Sequence, residues 1–160
     1  MQIIARVHES RRRTDGTFPL PSVVDCIRFA ITEAGETLDA QIRSESNTYI
    51  RNNGRNHDPR MEWGQCGYMI VSALRSDTTD GLQGHSQPQT KTQAYCETVR
   101  SLCVALEYES EGLHHEALLN LTCAVFAWVE FCIAMGWEPD ALIDETCAAF
   151  EAKHAVKVVV

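Results

Sequence analysis

Residues 22–44, SVVDCIRFAITEAGETLDAQIRS, decide how the chain folds. Val24, Ile27, Ile31, Ala34 and Leu38 recur at steps of three and four, which places them on one stripe of a helix. Ser22 is a natural N-cap, and no proline interrupts the stretch before Ser44. Glu33 and Glu36 lie roughly opposite that stripe. Read alone, they belong to a solvated face.

The same periodicity extends in both directions. Ile3 to Arg13 reads as a short helix closed by Thr14-Asp15-Gly16, and Phe18-Pro19-Leu20-Pro21 as an extended approach to the next element. Residues 47–60 are polar, rich in Asn and Arg, and read as a loop. Met61 to Leu74 is apolar over most of its circumference and predicts a deeply buried helix. Arg75 to Lys91 carries Gly, Ser, Thr, Gln, Asp and a proline, and reads as a flexible insertion. Thr92 to Glu109 keeps Tyr95, Val99, Leu102 and Leu106 in register. Leu113 to Met135 is almost wholly apolar after Asn120 and stops at Gly136. Pro139 suits the first turn of a last helix that reaches His154. The expectation is a single all-α domain over residues 1–160, a four- to five-helix bundle with an insertion at 75–91.

Composition narrows the partners. The 160 residues are 44% hydrophobic, enough for a real core, and carry a net charge of −8. That charge argues against nucleic acid or an anionic membrane, but leaves a small phosphorylated substrate open, because a cation neutralises phosphate locally. No run of about 18 apolar residues signals a membrane span. The first residues contain no hydrophobic signal core, so a cytoplasmic location is expected. Seven cysteines without a Cys-x-x-Cys pair read as reduced thiols filling small core positions.

The chemistry rests on carboxylates. Glu33 and Glu36, three apart, share one helix face and can share a divalent cation. EWGQ places Glu62 at the start of the apolar helix and Gln65 one turn on. A carboxylate there is costly unless it is paired or metal-bound, although Glu62 alone also suits a first turn facing the helix dipole. If the two helices fold back antiparallel, the three glutamates converge. Oxygen donors of this kind suit Mg²⁺ or Mn²⁺.

Glu-x-x-Glu, a gap of 25 residues, then a second Glu-x-x position resembles the metal signature of the all-α MazG-like nucleoside-triphosphate pyrophosphohydrolases. EAGE and EWG carry the likeness. GWEPDALIDETCAAFEAKH is similar to that family's last helix, and YIRNN resembles the short MazG-like enzymes of phages. The likeness covers Ser22 to Leu74 and, more loosely, Leu113 to His154. It implies hydrolysis of an NTP or dNTP to the monophosphate and pyrophosphate, with Glu33, Glu36 and Glu62 as the catalytic ligands of Mg²⁺ or Mn²⁺. It also implies a homodimer or homotetramer, and dGTP as the first substrate to try. Gln65 stands where the family has Asp: its amide oxygen can ligate a metal but brings no charge. Asp39, one turn beyond Glu36, is a candidate to compensate.

Arg51 and Asn53, with Asn52 and Arg55, are candidate substrate contacts, as is Lys153. A polar loop and a helix C-terminal cation account for them equally well. Trp63 offers a stacking surface for a base, or a core residue. Two rival readings stand beside this one. Glu111 and His114 have the Glu-x-x-His spacing of di-iron bundles, which need two such pairs; only one is found. The other rival, favoured by Gln65, is a catalytically inactive helical nucleotide-binding or regulatory module.

Overall fold

The computed structural model describes residues 2–45, 58–75 and 89–154, and these described residues form six helices and no strand. They are α1 (Gln2–Thr14), α2 (Val23–Glu45), α3 (Pro59–Leu74), α4 (Lys91–Ser110), α5 (His114–Ala134) and α6 (Pro139–His154). The all-α expectation holds; the count exceeds the expected four or five because the N-terminal segment is a full helix. Ile3, Ile4 and Val7 of α1 are buried, and Arg6 ties it to α6 through Glu151 at 2.6 Å and Asp144 at 3.1 Å. Residues 76–88, most of the expected insertion, lie outside the described residues.

Local chemistry sets the helix starts. The Ser22 hydroxyl accepts from the Asp25 amide at 3.1 Å. Asp58 caps α3 by accepting from the Arg60 amide at 3.0 Å, and Pro59 follows in the first turn, so α3 begins ahead of the expected Met61. Thr90 and Gln93 form a reciprocal capping box at the head of α4. Between α4 and α5, Gly112 sits at φ 78°, in the left-handed region that a side chain would disfavour.

The hub of the bundle is α3, which packs on α1, α2, α5 and α6. It runs antiparallel to α2: Glu62 at its start lies beside Glu33 and Glu36, while Arg75 at its end reaches the Pro21 carbonyl. Its depth comes from two missing side chains. Gly67 lies against the Trp128 indole of α5, and Gly64 against Thr146 and Leu142 of α6. Trp63 and Trp128 then clasp each other. The Trp128 indole N–H donates to the Trp63 carbonyl at 2.7 Å, and the Trp63 indole N–H donates to the Trp128 carbonyl at 3.3 Å. Trp63 is fully buried and contacts Phe131 and Tyr95, so it is core rather than a stacking surface.

The α2 stripe corrects the sequence reading. Cys26, Ile27, Ala30, Ala34, Thr37 and Ala40 are buried, whereas Leu38 is exposed and Ile31 is half-buried. The buried seam is therefore rotated toward small residues, which let α3 approach closely. Glu33 falls on that seam, in register with Cys26, Ala30, Thr37 and Ala40.

By length and composition α5 could cross a membrane, contrary to the expectation that no segment would pass that test. Ala117, Leu121, Ala124, Val125, Trp128 and Phe131 are buried within the bundle, which accounts for one apolar face. All seven cysteines are free. Cys26, Cys66, Cys132 and Cys147 are the expected small core residues, but Cys96, Cys103 and Cys123 are exposed.

Candidate metal and substrate site

Glu33 and Glu36 come from the middle of α2, and Glu62 from the first turn of α3. One carboxylate oxygen from each lies within 4.8 Å of the others. Glu62 is 8% exposed; Glu33 and Glu36 are half-buried. Glu33 Oε2 is buried with no hydrogen-bond partner, an acceptor left over that a cation would satisfy. Burial is the main cause that pushes the Glu33 carboxyl up to about 8; its hydrogen bond to Glu62 and the neighbouring charges of Glu62 and Glu36 add to it. Without a cation, this carboxyl therefore holds its proton at neutral pH.

That proton sets a pH dependence. Glu33 in the folded chain, near 8, sits above its ordinary value of 4.5, so the folded state binds the extra proton between those limits. Metal-free stability should fall as pH rises from about 4.5 through about 8. A divalent cation held by these carboxylates would compete with the same proton. Mn²⁺ affinity measured by calorimetry should rise by up to about tenfold per pH unit below 8 and level off above it. Affinity that does not change between pH 6 and pH 9 would contradict this account.

Gln65 Nε2 donates to Glu62 Oε2 at 3.2 Å. The amide thus steadies Glu62 through its nitrogen, and its oxygen is not engaged by that bond. Asp39 is not drawn in: its carboxylate pairs with Arg43 at 2.8 Å, one turn along α2. Arg60 of α3 pairs with Glu145 of α6, tying the start of α3 to the last helix.

Beside the acids opens a cavity of about 430 Å³ whose lining includes Glu33, Gln65 and Lys153. Phe18, Phe29, Tyr68, Phe150 and His154 also line it. Phe150 lies 4.8 Å from Tyr68 and 4.5 Å from His154, centroid to centroid. The expected Lys153 is thus brought to the same cavity as Glu33, and its side chain is exposed. Arg51, Asn52, Asn53 and Arg55 lie outside the described residues. The aromatic lining has no counterpart among the sequence expectations. Its members come from the α1–α2 connection, α2, α3 and α6, and no spacing in the sequence links them.

The di-iron alternative finds no support in the geometry. Glu111 caps the end of α4, and His114 is exposed and paired with Glu109 at 3.0 Å. Among the described residues, the three glutamates are the one group of three or more His, Cys, Asp or Glu side chains close enough to share an ion.

Fold and site together define a helical bundle with a partly buried carboxylate cluster, one member of which, Glu33, lines an aromatic cavity. No protein-family model, curated protein or solved structure matches the chain.

Proposed function

We propose that the chain is a metal-dependent nucleoside-triphosphate pyrophosphohydrolase of the MazG-like type. The observation that carries this reading is the grouping of Glu33, Glu36 and Glu62, of which Glu33 also lines a cavity large enough for a nucleotide and walled by aromatic rings. The three carboxylates would hold Mg²⁺ or Mn²⁺; all are hard oxygen donors, and Glu33 Oε2 is an acceptor in want of a partner. When bound, the cation neutralises triphosphate charge and activates water for attack. Gln65 holds Glu62 in place. Lys153 offers a cation to the phosphates, and the rings of Phe18, Phe150 and His154 offer a base flat surfaces. Water adds to the α-phosphorus as the bond to the bridging oxygen breaks, giving NMP and pyrophosphate.

Pyrophosphate release from each ribo- and deoxyribonucleoside triphosphate, with and without Mg²⁺ or Mn²⁺, tests this. Metal-dependent release is expected, with dGTP tried first. A folded protein that releases none from any nucleotide overturns the reading in favour of an inactive nucleotide-binding module.

Assembly as a homodimer or homotetramer, within the cytoplasm, completes the proposal. In its support, Leu119, Cys123, Phe126 and Ile133 recur at helical spacing on the outer side of α5, where Leu119 is 54% and Ile133 is 59% exposed. Light scattering should give a mass of at least twice the 17.9 kDa chain; a monomer at micromolar concentration would refute the assembly.

A further inference from the structure

A second cavity, of about 360 Å³, is lined by His8, Arg11, Arg12, Asp15, Ser72 and Arg75, together with Leu20. We propose that it binds a small, multiply charged oxyanion, recognised by Arg11, Arg12 and Arg75.

Arg11 is the central residue. It is only 5% exposed, yet no carboxylate among the described residues pairs with it. Its Nε donates to Ser72 Oγ at 2.8 Å and its Nη2 meets Met69 Sδ at 3.2 Å. Nη1 is buried with no hydrogen-bond partner at all. A guanidinium taken out of water without an acid is costly. The faces of Tyr68 at 4.5 Å and Phe150 at 4.9 Å offset part of that cost. They belong to the aromatic cavity, so Arg11 is the partition between the two cavities. Burial and the like charge of Arg75 both hold its pKa below the usual value. An anion on the basic side supplies the counter-charge that the fold omits.

Arg75 is the second observation. It closes α3 with φ 55°, a left-handed backbone that non-glycine residues adopt only at a cost. A glycine would meet the backbone requirement without strain; an arginine adds a cation, and its Nη2 is steadied by the Pro21 carbonyl. Arg12 is paired with Glu9 at 2.7 Å and is mostly exposed. His8 meets the Val71 carbonyl at 3.3 Å. Asp15 is the opposing charge at the cavity; with Arg12 already paired to Glu9, it faces the two further guanidiniums of Arg11 and Arg75. Planar guanidinium groups arranged this way suit phosphoryl or carboxylate oxygens.

The site is independent of the acid cluster, and the test keeps them apart. Inorganic pyrophosphate and citrate are titrated calorimetrically into the full chain in EDTA, using both wild type and Glu62→Gln. Binding of one or both at unit stoichiometry is expected, equal in the two proteins. Preference for pyrophosphate assigns a phosphoryl ligand, and preference for citrate a carboxylate. Arg75→Gly, which keeps the backbone conformation, should weaken binding about tenfold, and Arg75→Lys should recover most of it. No binding of either anion at millimolar concentration overturns the proposal, as does affinity unmoved by Arg75→Gly. The same anions should raise the melting temperature of wild type more than that of Arg75→Gly, a readout that does not depend on calorimetric heats.

Discussion

Glu62→Gln is expected to abolish metal-dependent pyrophosphate release while leaving the helices intact. The substitution keeps the volume of a side chain that is 8% exposed and removes only its charge. Glu62 is the hydrogen-bond partner of Glu33 and the acceptor of the Gln65 amide, so it links those two side chains. Losing a charged ligand should weaken Mn²⁺ binding by roughly 100-fold, the upper end of what supporting residues around a metal contribute. Metal-free stability should move the other way or stay level, because burial is the main cause that raises the Glu33 carboxyl and a neutral neighbour relieves the charge repulsion that adds to it. This opposition separates a metal site from a structural acid: a structural Glu62 would cost stability when replaced. Wild-type turnover in the variant would end the hydrolase assignment. Gln65→Asp is the complementary change, and should tighten metal binding by adding a carboxylate beside Glu62.

Gly67→Ala is expected to destabilise the chain by about 3 kcal/mol, the largest effect foreseen for one methyl group. A Cβ there would lie 2.6 Å from Cζ2 and 2.7 Å from Nε1 of Trp128, well inside contact distance. Trp128 is 1% exposed and its N–H is committed to the Trp63 carbonyl, so the ring cannot yield without breaking that bond. Overpacking costs about 1–3 kcal/mol, and a buried donor left unsatisfied a similar amount. The better helix propensity of alanine returns about 1 kcal/mol. Urea unfolding followed by circular dichroism measures the difference. A loss under about 0.5 kcal/mol would mean that α3 and α5 separate at little cost.

Much of the helical plan is legible in the sequence because each element carries its own period and punctuation. Ser22, Gly136 and Pro139 mark boundaries by local chemistry that tertiary contacts reinforce. The start of α3 is harder to place, because Asp58-Pro59 looks like loop until the cap is seen. The face of α2 misleads for a physical reason. Large apolar side chains suggest the buried stripe, yet Phe29, Leu38 and Ile42 are exposed. Close approach to the glycine-bearing α3 keeps Ile27 and Ala34 of the expected stripe and adds Ala30 and Ala40. Glu33 therefore looks solvated in the sequence although it lies on the seam. The three glutamates can be grouped from their spacing, since an antiparallel helix pair brings them together. The aromatic cavity and the Arg11 partition cannot, because they depend on how α1 and α6 close against α3.

The Trp63–Trp128 clasp has a mechanical consequence. Two bonds between the same pair of residues, one in each direction, fix the register of α3 against α5 at this point. Glu62 precedes Trp63 directly, so its position is indexed to α5, a helix that contributes no carboxylate to the cluster. A displacement of α5 that keeps both bonds therefore carries the start of α3, and Glu62 with it.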